Sequence, residues 1–182
     1  MVSAAFGRLW GMPVRVGDIA PDFELMGERD RETGKFRTYG LSRALSESPV
    51  VLHFFPAPFT TTCEQQMCEV RDRVDAYKGE GVTVWGVTGF PPAIISAWAR
   101  QHHFGVPILA DYDHKVSDAY VGLYSPELFP NVALTTKRGV VSVGQDGTVR
   151  HVWIPDESGV APPDEEIEAA IGAAARRHPH PA

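Results

Sequence analysis

The sequence predicts an α/β fold in which a central mixed β-sheet is flanked by helices. Short apolar runs rich in β-branched residues alternate with helical stretches, a pattern typical of this class. Residues 49–55 form a nearly continuous apolar run that stops at Pro56, which indicates a strand buried on both faces. Further along, an Asp-Gly pair at 146–147 separates two apolar runs and predicts a hairpin.

The other elements follow from their boundary residues. A helix is expected over about 63–77, because glycines at 79 and 81 would end it. A second buried strand is expected over 82–87, and a helix that begins with proline is expected over 91–103. Two hairpin strands over 139–143 and 148–153 follow, and the last predicted helix spans 164–175. This order is compatible with a thioredoxin-like sheet.

Composition fits one folded domain. The 182 residues are 43% hydrophobic, enough for a single core. We expect a domain over 14–175, a flexible arm over 1–13 and a disordered tail over 176–182. The net charge of -6 gives no basic excess for phosphates or anionic lipid, so neither nucleic acid nor a membrane is an expected partner. No apolar run has the length of a signal sequence or membrane span, which favours a cytoplasmic location.

The chain has two cysteines, Cys63 and Cys68. Two are too few for a disulfide scaffold, and they lack partners at zinc-ligand spacing. A free thiol is often a small buried hydrophobe. Cys63, however, stands at the start of the predicted helix, where unpaired N–H groups and the helix dipole favour an anion. The helix end stabilises the ionised form of the thiol by only about 2 kcal/mol, so a reactive thiolate also needs a nearby cation.

The loop before Cys63 resembles the active-site loop of the peroxiredoxin (AhpC/TSA) family. Pro56, Thr60 and Cys63 match its pattern Pro-x-x-x-Thr-x-x-Cys. The segment 17–23, Gly-Asp-Ile-Ala-Pro-Asp-Phe, is similar to the family's usual opening, and 63–72 resembles the helix of the bacterioferritin comigratory protein, or Q-type, subfamily.

The resemblance extends over about residues 14–175 and implies a peroxidase that needs no metal, flavin or haem. In the family, the cysteine matching Cys63 attacks the peroxide O–O bond and becomes a sulfenic acid, releasing water or an alcohol. Thr60 is expected to hydrogen-bond the thiolate and the peroxide, and Pro56 to shield the thiolate from water. Arg138 precedes a strand at the place of the family's active-site arginine and would supply the cation.

The second thiol, Cys68, follows five residues after Cys63. In an ideal α-helix this spacing puts the Cα atoms about 8.6 Å apart, whereas a disulfide needs about 7 Å or less. If Cys68 resolves the sulfenic acid as an intramolecular disulfide, the first helical turns must unwind. The alternative is that Cys68 only packs and an external thiol acts, as in relatives that lack a resolving thiol.

The chain departs from the family pattern before the thiol. Thr61 and Thr62 replace the Pro-Gly of many Q-type relatives, and two β-branched residues stiffen the loop. Gln66 is a candidate for holding the loop or the arginine. Phe59 is open to two roles, as a lining of the peroxide pocket or as a dimer contact.

Other reactive side chains have structural interpretations. His53 lies in the buried strand, which favours packing over base catalysis. Asp111, Asp113 and His114 precede a short helix, which favours capping over metal binding. The tail histidines at 178 and 180 stand among prolines and indicate solvated chain rather than a metal tract.

We therefore expect a peroxidase that reduces hydrogen peroxide and organic hydroperoxides, as a monomer or homodimer. A thioredoxin-like protein or a low-molecular-weight thiol would regenerate it. One alternative is a thiol-disulfide oxidoreductase, although that class uses cysteines two residues apart, unlike Cys63 and Cys68. Another is a redox-sensing binding module in which Cys63 oxidation changes partners.

Overall fold

A seven-stranded sheet organises the described part of the chain, which comprises residues 12–30, 32–126 and 134–176 of a computed structural model. The strands are β1 (Glu24–Arg29), β2 (Phe36–Gly40), β3 (Val50–Phe54), β4 (Thr83–Thr88), β5 (Ile108–Ala110), β6 (Gly139–Val143) and β7 (Val149–Trp153). The helices are α1 (Leu41–Leu45), α2 (Thr61–Asp72), α3 (Val74–Gly79), α4 (Pro92–His102), α5 (Lys115–Tyr120) and α6 (Asp164–Ala175).

The sheet is mixed, as the sequence predicts. Its strand order is β2-β1-β5-β4-β3-β6-β7. The three central strands β5, β4 and β3 run parallel, and the outer pairs are antiparallel. The strands β6 and β7 form the predicted hairpin, in which Gly147 takes a positive φ of 77° that suits glycine.

Helices cover both faces of this sheet. One hydrophobic core lies against α2, α3, α4 and α6, and the other lies against α1 and α5. Side chains alternate along β3 and the residue after it, so Val51 and Phe55 enter the first core while Leu52 and Phe54 enter the second. Burial on both faces explains the nearly continuous apolar run and confirms the predicted buried strand.

The pairing of β3 with β6 brings two distant segments together. Phe54, the last residue of β3, lies opposite Gly139, the first residue of β6. The loop that follows Phe54 and the residue that precedes Gly139 therefore meet at one edge of the sheet. This edge holds both Cys63 and Arg138.

The predicted helix over 63–77 is wrong in its start and its continuity. Helix α2 begins at Thr61, and Arg73 interrupts the helix with φ -104° and ψ 8° before α3 begins. The residue at the break has no proline or glycine neighbour, so no local signal marked it. The elements β1, β2, α1 and β5 were not predicted, because they are short or largely exposed. The short helix expected after His114 is α5.

The proposed terminal segments fall mostly outside the described residues. The structure describes residues 12 and 13 of the predicted arm over 1–13, and residue 176 of the predicted tail over 176–182. Val14, next to the arm, is buried, and its N–H donates to the Ala119 carbonyl at 3.1 Å. The tail histidines at 178 and 180 lie outside the described ranges.

Candidate active site

The loop between β3 and α2 is anchored to the neighbouring strand. Pro56 is buried, and its carbonyl accepts a hydrogen bond from Thr88 Oγ1 at the end of β4, with a distance of 3.4 Å. Further along the loop, Phe59 has a positive φ of 60°, which is rare for a bulky residue. Its ring is half exposed and contacts Trp98, with 6.2 Å between the ring centroids.

Cys63 lies in the first turn of α2, as expected, although the helix starts two residues earlier than predicted. Thr60 is the N-cap, and the first helical bond runs from the Glu64 N–H to the Thr60 carbonyl at 2.9 Å. The N–H groups of the residues before Glu64 have no intrahelical acceptor, and the positive end of the helix dipole lies beside them. Only 1% of Cys63 is exposed, so this field acts in a water-excluded site.

Arg138 contacts the Cys63 sulfur directly. Its Nη2 donates to Cys63 Sγ at 3.4 Å, and its Nη1 donates to Gln66 Oε1. Gln66 is fully buried, and its Nε2 donates to the Phe54 carbonyl at 3.3 Å. Gln66 therefore links the arginine to the end of β3 and fixes the position of the guanidinium.

The guanidinium of Arg138 is itself buried, with 2% of the residue exposed. A buried charge is costly unless an opposite charge compensates it. Within the described ranges, no carboxylate forms an ion pair with Arg138. The Cys63 thiol is the acidic group in hydrogen-bond contact with it, and a thiolate there would provide the missing negative charge.

Thr60 does not contact the sulfur through a hydrogen bond in this structure. Its hydroxyl donates instead to the Ala57 carbonyl at 2.9 Å. A hydroxyl has one proton and two lone pairs, so Thr60 can still accept a hydrogen bond while it donates to Ala57. The side chain is exposed, and a small ligand can reach it.

Cys68 occupies the same helix as Cys63. Both thiols are free, and Cys68 is half-buried. Because both lie in α2, the helical spacing of about 8.6 Å between their Cα atoms applies, which is beyond disulfide range. The structure brings Pro56, Thr60, Cys63 and Arg138 to one edge of the sheet and keeps Cys68 apart from the sulfur.

Tyr124 is a neighbour of the site that the sequence did not reveal. Its hydroxyl accepts a hydrogen bond from the Arg138 backbone N–H at 3.4 Å, and 8% of the residue is exposed. Burial raises the pKa of Tyr124, so the phenol stays protonated at neutral pH. A bridge between Leu123 and Thr136 places Tyr124 there, and this pairing has no local sequence signal.

The remaining candidate residues have structural roles. His53 is buried, its Nε2 lies 2.7 Å from the Tyr77 hydroxyl, and burial lowers its pKa to about 3. Asp111 caps α5 by accepting hydrogen bonds from the N–H groups of Val116 and Ser117 at 3.2 and 2.6 Å.

Throughout the part of the chain that the structure covers, no group of three or more acidic, His or Cys residues could hold a metal ion. No described helix is long and apolar enough to cross a membrane.

Comparison with known proteins identifies the family. The model of the AhpC/TSA family matches residues 16–152. Peroxiredoxin Bcp of Escherichia coli (strain K12) is 29% identical over 142 residues, which cover 78% of this chain and 86% of that protein. Alkyl hydroperoxide reductase E of Mycobacterium tuberculosis (strain ATCC 25618 / H37Rv) is 30% identical over 139 residues, covering 75% and 83%.

A solved structure agrees with these relatives. The crystal structure of peroxidoxin BcpB from Mycobacterium tuberculosis has a TM-score of 0.69 and 27% sequence identity, and the match covers 87% of this chain and 95% of that chain. The predicted thioredoxin-like fold is thereby confirmed. The chain belongs to the AhpC/TSA family.

Proposed function

We propose that this protein is a thiol peroxidase in which Cys63 reduces hydrogen peroxide and organic hydroperoxides. The observation that carries this proposal is the buried Arg138 guanidinium, 3.4 Å from the Cys63 sulfur and without a carboxylate partner in the described ranges. Family membership and the likeness to an alkyl hydroperoxide reductase support it.

The first chemical step is a two-electron oxidation of sulfur. The Cys63 thiolate attacks the terminal peroxide oxygen, an S–O bond forms and the O–O bond breaks. The sulfur becomes a sulfenic acid, and the departing alkoxide or hydroxide takes a proton to leave as alcohol or water. Arg138 stabilises the thiolate before the attack and, in the transition state, the negative charge that moves onto oxygen.

Thr60 and Pro56 prepare the peroxide for attack. Because the Thr60 proton is directed to the Ala57 carbonyl, its oxygen is free to accept the O–H of a bound peroxide. This bond would hold the peroxide next to the sulfur. Pro56 is buried beside the site and excludes water from the thiolate.

The sulfenic acid is then resolved by Cys68. The Cys68 thiolate attacks the Cys63 sulfur, an S–S bond forms, and the sulfenic oxygen leaves as water after taking a proton. Since both cysteines lie in α2, the first turns of that helix must unwind for the sulfur atoms to meet. The break at Arg73, where α2 ends, limits the segment that can unwind, and an ion pair of 2.6 Å joins Arg73 to Asp164 of α6.

Two equivalents of thiol, from a thioredoxin-like protein or a small thiol, reduce the disulfide and complete the cycle. The cycle uses only the peroxide, this thiol and groups of the chain itself. We place the catalytic domain at residues 14–175, acting in the cytoplasm as a monomer or homodimer, with neither nucleic acid nor a membrane as partner.

A turnover assay tests the proposal. The protein is mixed with hydrogen peroxide or an alkyl hydroperoxide, and reductant consumption is followed with dithiothreitol and, separately, with thioredoxin and its reductase. We expect peroxide-dependent consumption that Cys63→Ser abolishes. Equal consumption by wild type and Cys63→Ser would contradict the assignment of Cys63. Reduction of insulin disulfides without peroxide consumption would favour a thiol-disulfide oxidoreductase instead.

A further inference from the structure

His102, the last residue of α4, is held by α2 at two points. Glu64 Oε2 lies 3.6 Å from His102 Nε2, and Arg71 Nη1 donates to the His102 carbonyl at 3.1 Å. Glu64, Cys68 and Arg71 follow one another at spacings of four and three residues, so they share one face of α2. The two contacts with His102 therefore flank Cys68 along the helix.

The imidazole of His102 is fixed in place on the α4 side. It stacks on Phe104, with 5.3 Å between ring centroids and 11° between ring planes, and it meets Trp98 edge-on at 6.0 Å. Its side chain is 15% exposed. Two flexible surface chains lose entropy when they pair, which weakens most surface ion pairs. Here the ring is already ordered, so less entropy is lost.

Both contacts depend on an intact α2. If α2 unwinds as far as the break at Arg73, Glu64 and Arg71 no longer project from one helical face, and both contacts with His102 are lost. A contact that exists while α2 is helical and is lost when α2 unwinds stabilises the helical state and slows unwinding. The groups proposed for the peroxide step, namely Cys63, Arg138 and Thr60, make no hydrogen bond with His102 within the described ranges.

We propose that His102 is a latch residue that sets the rate of the resolving step while leaving the peroxide step unchanged. This inference rests on the proposed role of Cys68. By delaying the disulfide, the latch prolongs the life of the Cys63 sulfenic acid. In that interval a second peroxide can oxidise it, forming a second S–O bond and releasing another alcohol or water, and the product is a sulfinic acid.

Stopped-flow tryptophan fluorescence separates the two steps, because the first phase depends on peroxide concentration and the second does not. We would compare wild type with His102→Phe, which retains an aromatic ring, and with Glu64→Gln. Each should accelerate the second phase about two- to five-fold, the size expected when one weak side-chain contact is lost. The double variant should be no faster than either single variant, because both remove the same contact.

Two further variants complete the experiment. Arg71→Met removes the second contact and should also accelerate the second phase. His103→Asn is the matched control, since His103 is exposed, has a positive φ of 53° that asparagine tolerates, and lies next to the latch. It should leave both phases unchanged. After repeated peroxide additions, mass spectrometry should find less Cys63 sulfinic acid in His102→Phe than in wild type.

The latch proposal is overturned if His102→Phe and Arg71→Met leave the second phase at the wild-type rate, or if the effects of Glu64→Gln and His102→Phe add. It is also overturned if peptide mapping of the wild type finds no disulfide between Cys63 and Cys68. The proposed peroxidase activity survives these outcomes as long as the peroxide-dependent phase persists. Loss of that phase in the wild type would instead contradict the peroxidase itself.

Discussion

The Arg138 guanidinium donates a hydrogen bond to the Cys63 sulfur although 75 residues separate them in the chain. The contact exists because β3 and β6 pair in an antiparallel register that sets Phe54 opposite Gly139. The helix end and the guanidinium thus act on the same sulfur from different parts of the sequence.

Arg138→Gln should lower the second-order rate of Cys63 oxidation by about 10²- to 10³-fold, because it removes the cation beside the thiolate. Arg138→Lys should retain part of the rate, since its ammonium keeps the charge but cannot bridge Cys63 and Gln66 as the planar guanidinium does. Stopped-flow oxidation measures both, with a thermal melt of each variant as the folding control. An unchanged rate in Arg138→Gln would exclude the arginine from the chemistry.

Gln66→Met should slow the peroxide step about 10-fold while Cys63 and Arg138 remain present, because the guanidinium loses the side chain that positions it. It should also destabilise the fold by about 1–3 kcal/mol, since the Arg138 Nη1 and the Phe54 carbonyl lose a buried partner. Urea unfolding gives the second quantity. Gln65→Met, at the exposed neighbouring position, is the control and should change neither.

Thr60→Val should lower the rate of oxidation by peroxide by about 10²-fold, because valine keeps the branched shape but provides no oxygen to accept the peroxide proton. Thr60→Ser keeps the hydroxyl and should stay close to wild type. Alkylation of Cys63 by iodoacetamide, which needs no peroxide, should be similar in both variants. A Thr60→Val variant that reacts with peroxide as fast as Thr60→Ser would refute this role.

His53 should make the protein less stable in mild acid. Burial lowers its pKa to about 3 from an ordinary value of 6.5, so between these pH values the unfolded chain binds a proton that the folded chain does not. Stability therefore falls as the pH falls through this window, and the loss from His53 reaches about 2 kcal/mol at pH 5. Urea unfolding at pH 7.5 and pH 5 measures it.

His53→Phe should lose less stability than wild type between these two pH values, whatever its absolute stability. The control is His103→Asn, which removes an exposed histidine and should keep the wild-type pH dependence. The same pH dependence in His53→Phe and wild type would show that His53 is not held neutral.

The part of the site that is local in sequence was predictable. A buried strand, a proline-containing loop and a cysteine at a helix start follow one another within residues 49–63, so pattern and spacing identified Cys63. Arg138 was assigned only through the resemblance to a family, because strand register decides which distant residue reaches the sulfur. Gln66 was a sequence candidate for holding the arginine, and the structure shows the hydrogen bond between them. Tyr124 and His102 acquire their contacts from tertiary packing, which no local pattern encodes.

The same distinction holds for the fold. The strands β3 and β4 are buried along their length and were predicted within one or two residues. The strand β1 exposes much of its surface, and β5 has three residues, so neither has a clear period. The break at Arg73 precedes α3, which packs through Tyr77. Its neighbours Asp72 and Val74 are weak helix formers but not helix breakers such as Gly or Pro, so they mark no definite end.

Activation of Cys63 is tested by the second-order rate of its oxidation by hydrogen peroxide in a Cys68→Ser background, followed by stopped flow with dimedone trapping of the sulfenic acid. The helix end and Arg138 together predict a rate at least about 10³ times that of free cysteine, with dimedone on the Cys63 peptide. A rate equal to that of free cysteine, in a variant that folds as the wild type does, would show that the helix end and Arg138 do not activate Cys63.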